Sequence, residues 1–257
     1  MSEQVEATVG DGSRAALVTG AASGIGRATA LRFGSKGLRV GCFDLDKTGV
    51  EETAAAVRDA GGEAVAFDGD VCDEMTTKAV VAGVVDAFGS LDVLANVAGI
   101  GHFRHSEDEA QADWSRIVGV NLTGTFLMCR DAMPALVASH GVIVNVASIA
   151  GLTGHAYGAA YSASKGGVVS LTKTLAVEFA SRDVRVNAVC PGGVMTPIIN
   201  SFMPPEDAEA SLVERIAPLM GRFIEPDEIA TAIEFLASQD MPNLTGAVLV
   251  VDGATVT

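Results

Sequence analysis

From Ala15 onward, short β-branched or apolar runs alternate with longer Ala-rich stretches of helical spacing, and no other feature constrains the fold as tightly. Such alternation marks repeated βα units, and these build a parallel sheet. The strand-like runs are Ala15–Thr19, Arg39–Asp44, Ala64–Asp68, Leu91–Asn96, Gly141–Ala147, Arg185–Val189 and Val248–Val251. Helical stretches run roughly Ile25–Lys36, Thr48–Ala60, Asp73–Phe88, Ala112–Leu136, Tyr157–Ser181 and Pro226–Ala237. Right-handed crossovers then place helices on both faces of one doubly wound, seven-stranded parallel sheet, an α/β Rossmann fold. With 29 Gly and 5% aromatics among 257 residues, the core must come from Ala, Val, Leu and Ile, which suits a sheet covered on both sides.

The chain shows no Pro-, Gly- or Ser-rich linker and no internal repeat, so residues 14–257 read as one domain behind a flexible acidic tail, 1–13. The one long irregular region is 191–225, and loops of that length usually have a task. Its apolar residues, among them Met195, Ile198, Ile199, Phe202, Leu212 and Ile216, either form a lid over an oily ligand or pack on the core or a subunit contact. Both readings stay open at this point.

A formal charge of −15 repels phosphate backbones and anionic lipid, which argues against nucleic-acid and membrane-surface roles. No signal peptide or apolar span of 18 residues is visible, so the expected location is the cytoplasm. Cys42, Cys72, Cys129 and Cys190 lie far apart without a CxxC pair and read as buried thiols in a reducing compartment.

After the first strand comes Thr19-Gly20-Ala21-Ala22-Ser23-Gly24-Ile25-Gly26, with a helix expected from Ile25. Glycines there permit a tight turn and close backbone approach, and a helix N-terminus offers free N–H groups to a pyrophosphate. The spacing is GxxxGxG; its place within a βαβ unit raises its meaning above that of an isolated glycine turn. Eighteen residues after Gly26 the second strand ends at Asp44, placed to accept hydrogen bonds from adenosine ribose hydroxyls and to repel a 2′-phosphate. That favours NAD over NADP; the plainer alternative is that Asp44 caps the next turn beside Asp46. Asp70-Val71 after the third strand and Asn96-Val97-Ala98-Gly99 at the end of the fourth lie at the carboxyl edge, where open α/β sheets bind ligands.

The fifth strand leads to Ser148, and thirteen residues later Tyr161-Ser162-Ala163-Ser164-Lys165 begins a helical segment. At i and i+4, Tyr161 and Lys165 share a helix face. An ammonium ~4 Å from the phenol at an effective dielectric of ~20 contributes about 4 kcal/mol, or roughly three pK units, enough to bring a tyrosine near working pH. The Gly-rich stretch between Ser148 and Tyr161 allows close approach. His102 and His105 lack the further ligands that a metal site needs, so no metal is expected. His155 and Tyr157 stand either in the substrate pocket or in an ordinary polar loop.

From about Ala15 to Gly253 these ordered motifs resemble the classical short-chain dehydrogenase/reductase family. The resemblance implies Tyr161 as general acid/base, Lys165 as the residue that lowers its pKa and binds the nicotinamide ribose, and Ser148 as hydrogen-bond donor to the substrate oxygen. It implies that Asn121, otherwise a polar residue within a helix, completes a proton relay through water and Lys165. It further implies that Pro191-Gly192-Gly193-Val194-Met195-Thr196 passes the nicotinamide, with Val194 and Thr196 at the carboxamide. Val97 departs from the commoner Asn-Asn-Ala-Gly, which is expected to weaken local structure more than chemistry.

The activity implied is NAD(H)-dependent hydride transfer between nicotinamide and a hydrophobic secondary alcohol or ketone, steroid-like, acyl-derived or similar, in a homotetramer built through the long helices. A 3-oxoacyl-carrier-protein reductase is the rival within the class. Asp44, the net charge and Val177 before Glu178, where those reductases commonly have Arg, argue against it. A non-catalytic nucleotide-binding regulator is the rival outside it, opposed by the intact set Asn121, Ser148, Tyr161 and Lys165.

Overall fold

The computed structural model describes residues 14–256; the tail assigned to residues 1–13 lies outside them. In chain order the elements are β1 Ala15–Thr19, α1 Gly24–Ser35, β2 Arg39–Asp44, α2 Lys47–Asp59, β3 Ala64–Asp68, α3 Glu74–Phe88, β4 Val93–Asn96, α4 Gln111–Val118, α5 Thr125–Ser139, β5 Val142–Val146, α6 Ala159–Phe179, β6 Arg185–Pro191, α7 Ala210–Glu214, α8 Pro226–Ala237 and β7 Val248–Val251. The seven strands pair in parallel in the order β3-β2-β1-β4-β5-β6-β7, so the expected doubly wound sheet is the observed one. Strand order reverses between β1 and β4, and the crevice outside their carboxyl ends is where such sheets take ligands.

Alternation along β1 explains the layering. Ala16 and Val18 enter an apolar cluster with Phe33 of α1, Val50 and Val57 of α2 and Ile229 and Ile233 of α8. Ala15 and Leu17 point the other way, into a cluster with Val84 of α3, Met128 and Leu136 of α5 and Leu175 of α6. Each face of the sheet is thus sealed by its own helices, leaving the loops at the carboxyl edge as the accessible part.

Several boundaries depart from the sequence reading. The fourth strand begins at Val93 rather than Leu91, because Asp92 turns its side chain to the Ala15 N–H (2.8 Å) and the Ser90 hydroxyl (2.7 Å). Helix α6 starts at Ala159 rather than Tyr157, since Tyr157 holds φ +66°, a left-handed conformation that cannot continue into a helix. The single helix expected over Ala112–Leu136 is broken into α4 and α5 by a π-helical segment, Gly119–Gly124, around the buried Asn121. Region 191–225 is less irregular than expected: it holds a 3₁₀ turn at Pro197–Ser201, the short α7 and a bridge between Val194 and Ile224. Cys42, Cys129 and Cys190 are buried as expected, but Cys72 is exposed, because it sits in the turn before α3 rather than on a strand. None of the helices among the described residues is long and apolar enough to cross a membrane.

Candidate active site

A cavity of about 640 Å³ opens at the carboxyl edge of the sheet. The glycine turn frames one side of it. Helix α1 begins at Gly24, one residue earlier than expected, and Ser23 at its N-cap makes no side-chain cap, so the first-turn N–H groups remain for an anion. Gly24 needs its freedom, with φ +51° and the Thr196 methyl 2.9 Å from where a Cβ would stand. At Gly26 a Cβ would strike the Gly20 carbonyl, so only glycine brings α1 this close to the end of β1.

Asp44 closes the turn: its carboxylate accepts from the Ala22 N–H and from the Asp46 N–H, both at 2.9 Å. Asp44 thus caps the turn before α2, as its plainer reading expects, and Asp46 caps α2 itself, accepting from Gly49 N–H at 3.2 Å. Asp44 therefore stands at the cavity wall beside the glycine turn with Asp70 and Val71 of the third βα loop close along the same lining.

Gly20, Ser23, Gly24, Ile25 and Gly26 all line the cavity, as do Ala98 and Gly99 after β4 and Pro191, Gly192, Val194 and Thr196 after β6. Asn96 does not. It is buried behind the wall, where its amide donates to Asn145 Oδ1 (2.9 Å) and reaches the Cys129 sulfur (3.2 Å). Asn96 was expected among the cofactor contacts; as the last residue of β4 it points instead into the buried layer between sheet and helices. The following loop is held by Thr19, whose hydroxyl oxygen accepts from both Val97 N–H and Ala98 N–H at 3.0 Å. The Val97 departure from the family pattern thus leaves the backbone anchor in place.

Ser148, Tyr161 and Lys165 meet on the other half of the cavity. Strand β5 delivers Ser148 at its end, and α6 presents Tyr161 and Lys165 one turn apart. Close packing of α6 depends on Gly151, where a Cβ would lie 2.6 Å from the Lys165 carbonyl carbon. Lys165 is buried and donates to the Val146 carbonyl at 2.8 Å. Asn121 is wholly buried and off the cavity lining: its Oδ1 accepts from Ile100 N–H (2.8 Å), and its Nδ2 donates to the Ile100 carbonyl (2.9 Å) and to Ser164 Oγ (3.0 Å). Asn121 Oδ1 and Lys165 Nζ each lie 3.3 Å from the point a Cβ on Gly99 would occupy, so the two groups converge beneath that glycine.

The large downward shift expected for the Tyr161 phenol is not found. Burial raises it above the ordinary tyrosine value, a hydrogen bond with Ser148 pulls it back, and Cys190 adds to the rise. Lys165 Nζ lies 5.8 Å from the Tyr161 ring centroid and donates to the Val146 carbonyl, and its own pKa is pushed down to about 8 by burial. The sign for stability follows. Unfolded chains hold the lysine proton to about 10.5 whereas the folded chain releases it near 8, so between these values the unfolded state binds more protons and stability rises with pH through this group. Lys165→Met is expected to flatten that rise in denaturant-unfolding free energies measured across the window. An identical slope in variant and wild type would contradict it.

His102 pairs with Glu109 (2.9 Å) and His105 with Asp207 (2.9 Å), which raises the His105 pKa. Among the described residues no three His, Cys, Asp or Glu side chains are grouped to hold a metal. His155 lines the cavity, and burial lowers its pKa; Tyr157 does not line it and accepts the Glu209 N–H at 2.9 Å. Sequence reasoning missed Thr19, Phe103 and the position of Phe202. Thr19 had a signal, a hydroxyl at the end of a buried strand; Phe103 had none short of tertiary structure, whereas Phe202 already stands among the lid-or-core residues of 191–225.

Residues 20–254 match the family described as enoyl-(acyl carrier protein) reductase. Over 242 residues the chain is 42% identical to cis-4-hydroxycyclohexanecarboxylate dehydrogenase of Sinomonas cyclohexanicum, spanning 93% of this chain and 95% of that one. It is 39% identical over 241 residues to 3beta-hydroxysteroid dehydrogenase 1 of Eggerthella lenta, spanning 92% and 91% respectively. Among solved structures, 3-ketoacyl-(acyl-carrier-protein) reductase from Brucella melitensis complexed with NADH superposes with a TM-score of 0.87 at 38% identity, covering 95% of this chain and 98% of that one. The fold agrees with these likenesses, and the chain belongs to the classical short-chain dehydrogenase/reductase family.

Proposed function

We propose that the protein is an NAD(H)-dependent oxidoreductase that interconverts a neutral, hydrophobic secondary alcohol and its ketone. The observation that carries the substrate half of this reading is the lining of the cavity: among the described residues there, Lys165 is the sole Lys or Arg, and Ile149, Ile199, Phe202, Ile216 and Phe223 supply an apolar wall. A carboxylate or phosphate on the substrate would find no cation of its own, and burying it unpaired is costly. Both relatives named above carry hydroxylated substrates in their names; this cavity favours the neutral kind.

The residues fit a dinucleotide. The first turn of α1 and Gly26 would hold the pyrophosphate, Asp44 the adenosine ribose, and Pro191 to Thr196 the nicotinamide side. The bound cofactor would supply or accept the hydride. Tyr161 Oη passes the proton to or from the substrate oxygen, Ser148 donates a hydrogen bond to that oxygen, and Lys165 bears on the ribose. Asn121, tied to Ile100 and Ser164, positions the floor beneath Lys165 and completes the proposed relay. Helices α4 to α6 expose Trp114, Phe126 and Val177, which supports the homotetramer proposed for the family resemblance.

Asp44 sets the cofactor. Asp44→Ala is expected to weaken NAD⁺ binding about tenfold, the loss of a charged hydrogen-bond acceptor, and to narrow the gap to NADP⁺; fluorescence titration of both cofactors reads it. An unchanged NAD⁺ to NADP⁺ ratio would remove Asp44 from this role.

The activity is tested by NADH appearance from NAD⁺ with a graded panel of apolar and polar secondary alcohols. Turnover that rises with apolarity supports the reading. Silence across the panel from protein that binds NADH would overturn it in favour of a binding role. A carrier-protein reductase remains the second reading, because the solved reductase above is close in sequence and shape; turnover restricted to 3-oxoacyl thioesters with NADPH would establish it.

A further inference from the structure

The segment after β6 carries Phe202 directly onto Tyr161. The two rings meet edge to face with centroids 4.9 Å apart, and Phe103 closes on the other side of Phe202 at 5.0 Å. Gly101 passes between them: a Cβ there would lie 2.6 Å from Tyr161 Cδ2 and would collide with the Phe202 ring. Two separate stretches of chain, 101–103 and the one that carries Phe202, thus converge on the Tyr161 ring, leaving no room for a side chain at 101.

Phe202 is also seated from a distance. Five residues on, Asp207 pairs with His105 at 2.9 Å, and the Glu209 N–H donates to Tyr157 Oη at 2.9 Å. The His105 and Tyr157 rings are themselves edge to face at 5.0 Å. Tyr157 holds its left-handed φ of +66° while its carbonyl accepts from Arg104 N–H at 2.7 Å. A non-glycine residue in that conformation is costly unless its surroundings fix it. The loop is therefore pinned at two points just beyond the aromatic contact.

From this geometry we propose that Phe202 is a specificity-determining residue, a wall that limits the bulk carried next to the carbinol carbon, and that Tyr157 and His105 are positioning residues that hold the wall in place. The inference rests on the reading of Tyr161 as acid/base. An alcohol oxygen must come within hydrogen-bond reach of Tyr161 Oη, so the substituents on its carbon are brought against whatever covers that ring, and the covering group is Phe202.

The test uses the full chain and two probes, cyclohexanol and 2-phenylcyclohexanol, with NAD⁺. Phe202→Ala is expected to raise the ratio of kcat/KM for the bulky over the compact alcohol by about tenfold or more, the scale of discrimination by pocket volume. Phe202→Leu, which keeps apolar packing, is expected to fall between. Tyr157→Phe retains the ring on His105 and deletes the hydroxyl oxygen, and should move the ratio in the same direction by less. Equal losses on both alcohols in all three variants would overturn the proposal and leave Phe202 a structural support.

A second readout does not depend on turnover. The chain has two tyrosines, so phenolate absorbance with Tyr161→Phe as blank isolates Tyr161. Phe202→Ala is expected to lower its titration midpoint by admitting water, and an unmoved midpoint counts against the wall. A shifted midpoint in a protein that oxidises neither alcohol would leave Phe202 as the cover of Tyr161 and overturn both the alcohol reading and the specificity role.

Discussion

Tyr161→Phe is expected to lower kcat for alcohol oxidation by about 10²- to 10⁴-fold, the usual worth of a positioned general acid/base, while NADH still binds. The substitution removes one oxygen and keeps the ring that packs on Phe202, so the cavity should retain its shape. Lys165 keeps its bond to the Val146 carbonyl, and the glycine turn lies on other elements. Activity and cofactor binding are therefore expected to separate cleanly. Steady-state rates beside an NADH fluorescence titration measure both, and a variant with wild-type kcat would remove Tyr161 from the chemistry. Because burial holds the phenol above its ordinary value, wild-type oxidation should also climb through the alkaline range as the base form becomes populated. A flat alkaline profile would mean that proton removal does not limit the rate.

Gly26→Ala should have the second large effect, on cofactor binding and stability together. The added methyl would meet the Gly20 carbonyl oxygen, lie 2.5 Å from its carbon and 3.0 Å from Ala21 N. These are backbone atoms of a turn, so relief requires α1 to move away from β1. Overpacking of this kind costs about 1–3 kcal/mol or more, and here the displaced element is the helix whose N-terminus would face the proposed pyrophosphate site. A fall in Tm of several degrees and an NADH affinity weakened by about tenfold or more are expected. Thermal melts with and without NADH check both; a variant that melts and binds like wild type would show that the turn tolerates a side chain.

Strand positions were legible because buried parallel strands have a plain signature. β1, β2, β3 and β7 begin and end at the residues where the β-branched runs do, each bounded by glycine, a charge or a helical spacing. The glycine turn, Asp44 and the Ser148, Tyr161 and Lys165 set were legible for a similar reason, since fixed spacing on a known βα scaffold brings them to one edge. What escaped the sequence depends on contacts between distant segments. Periodicity does not distinguish a π turn from an α turn, and the break at Gly119–Gly124 becomes visible only when Asn121 is seen bonded to Ile100. Asn96 reads as a cavity residue by position and yet turns its amide toward Asn145 and Cys129, because the strand's alternation carries it behind the wall. For 191–225, Ile199, Phe202 and Ile216 line the cavity, whereas Met203, Leu219 and Met220 are exposed and do not pack on the core.

The packing of α8 against α1 bears on the order in which this protein is made. Arg14 donates to the Ala237 carbonyl (3.2 Å) and Arg32 of α1 pairs with Glu234, so the front of the described residues is fastened to α8, while Arg185 of β6 donates to the carbonyls of Leu236 (3.0 Å) and Ser238 (2.7 Å). Contacts of such separation in sequence form late, and multi-element chains fold largely as they emerge. A nascent chain that has not yet reached Pro226 carries every residue of the glycine turn, yet one flank of α1 is still bare to solvent. The α1 flank beside the glycine turn is thus covered only once residues 226–237 are available to fold onto it.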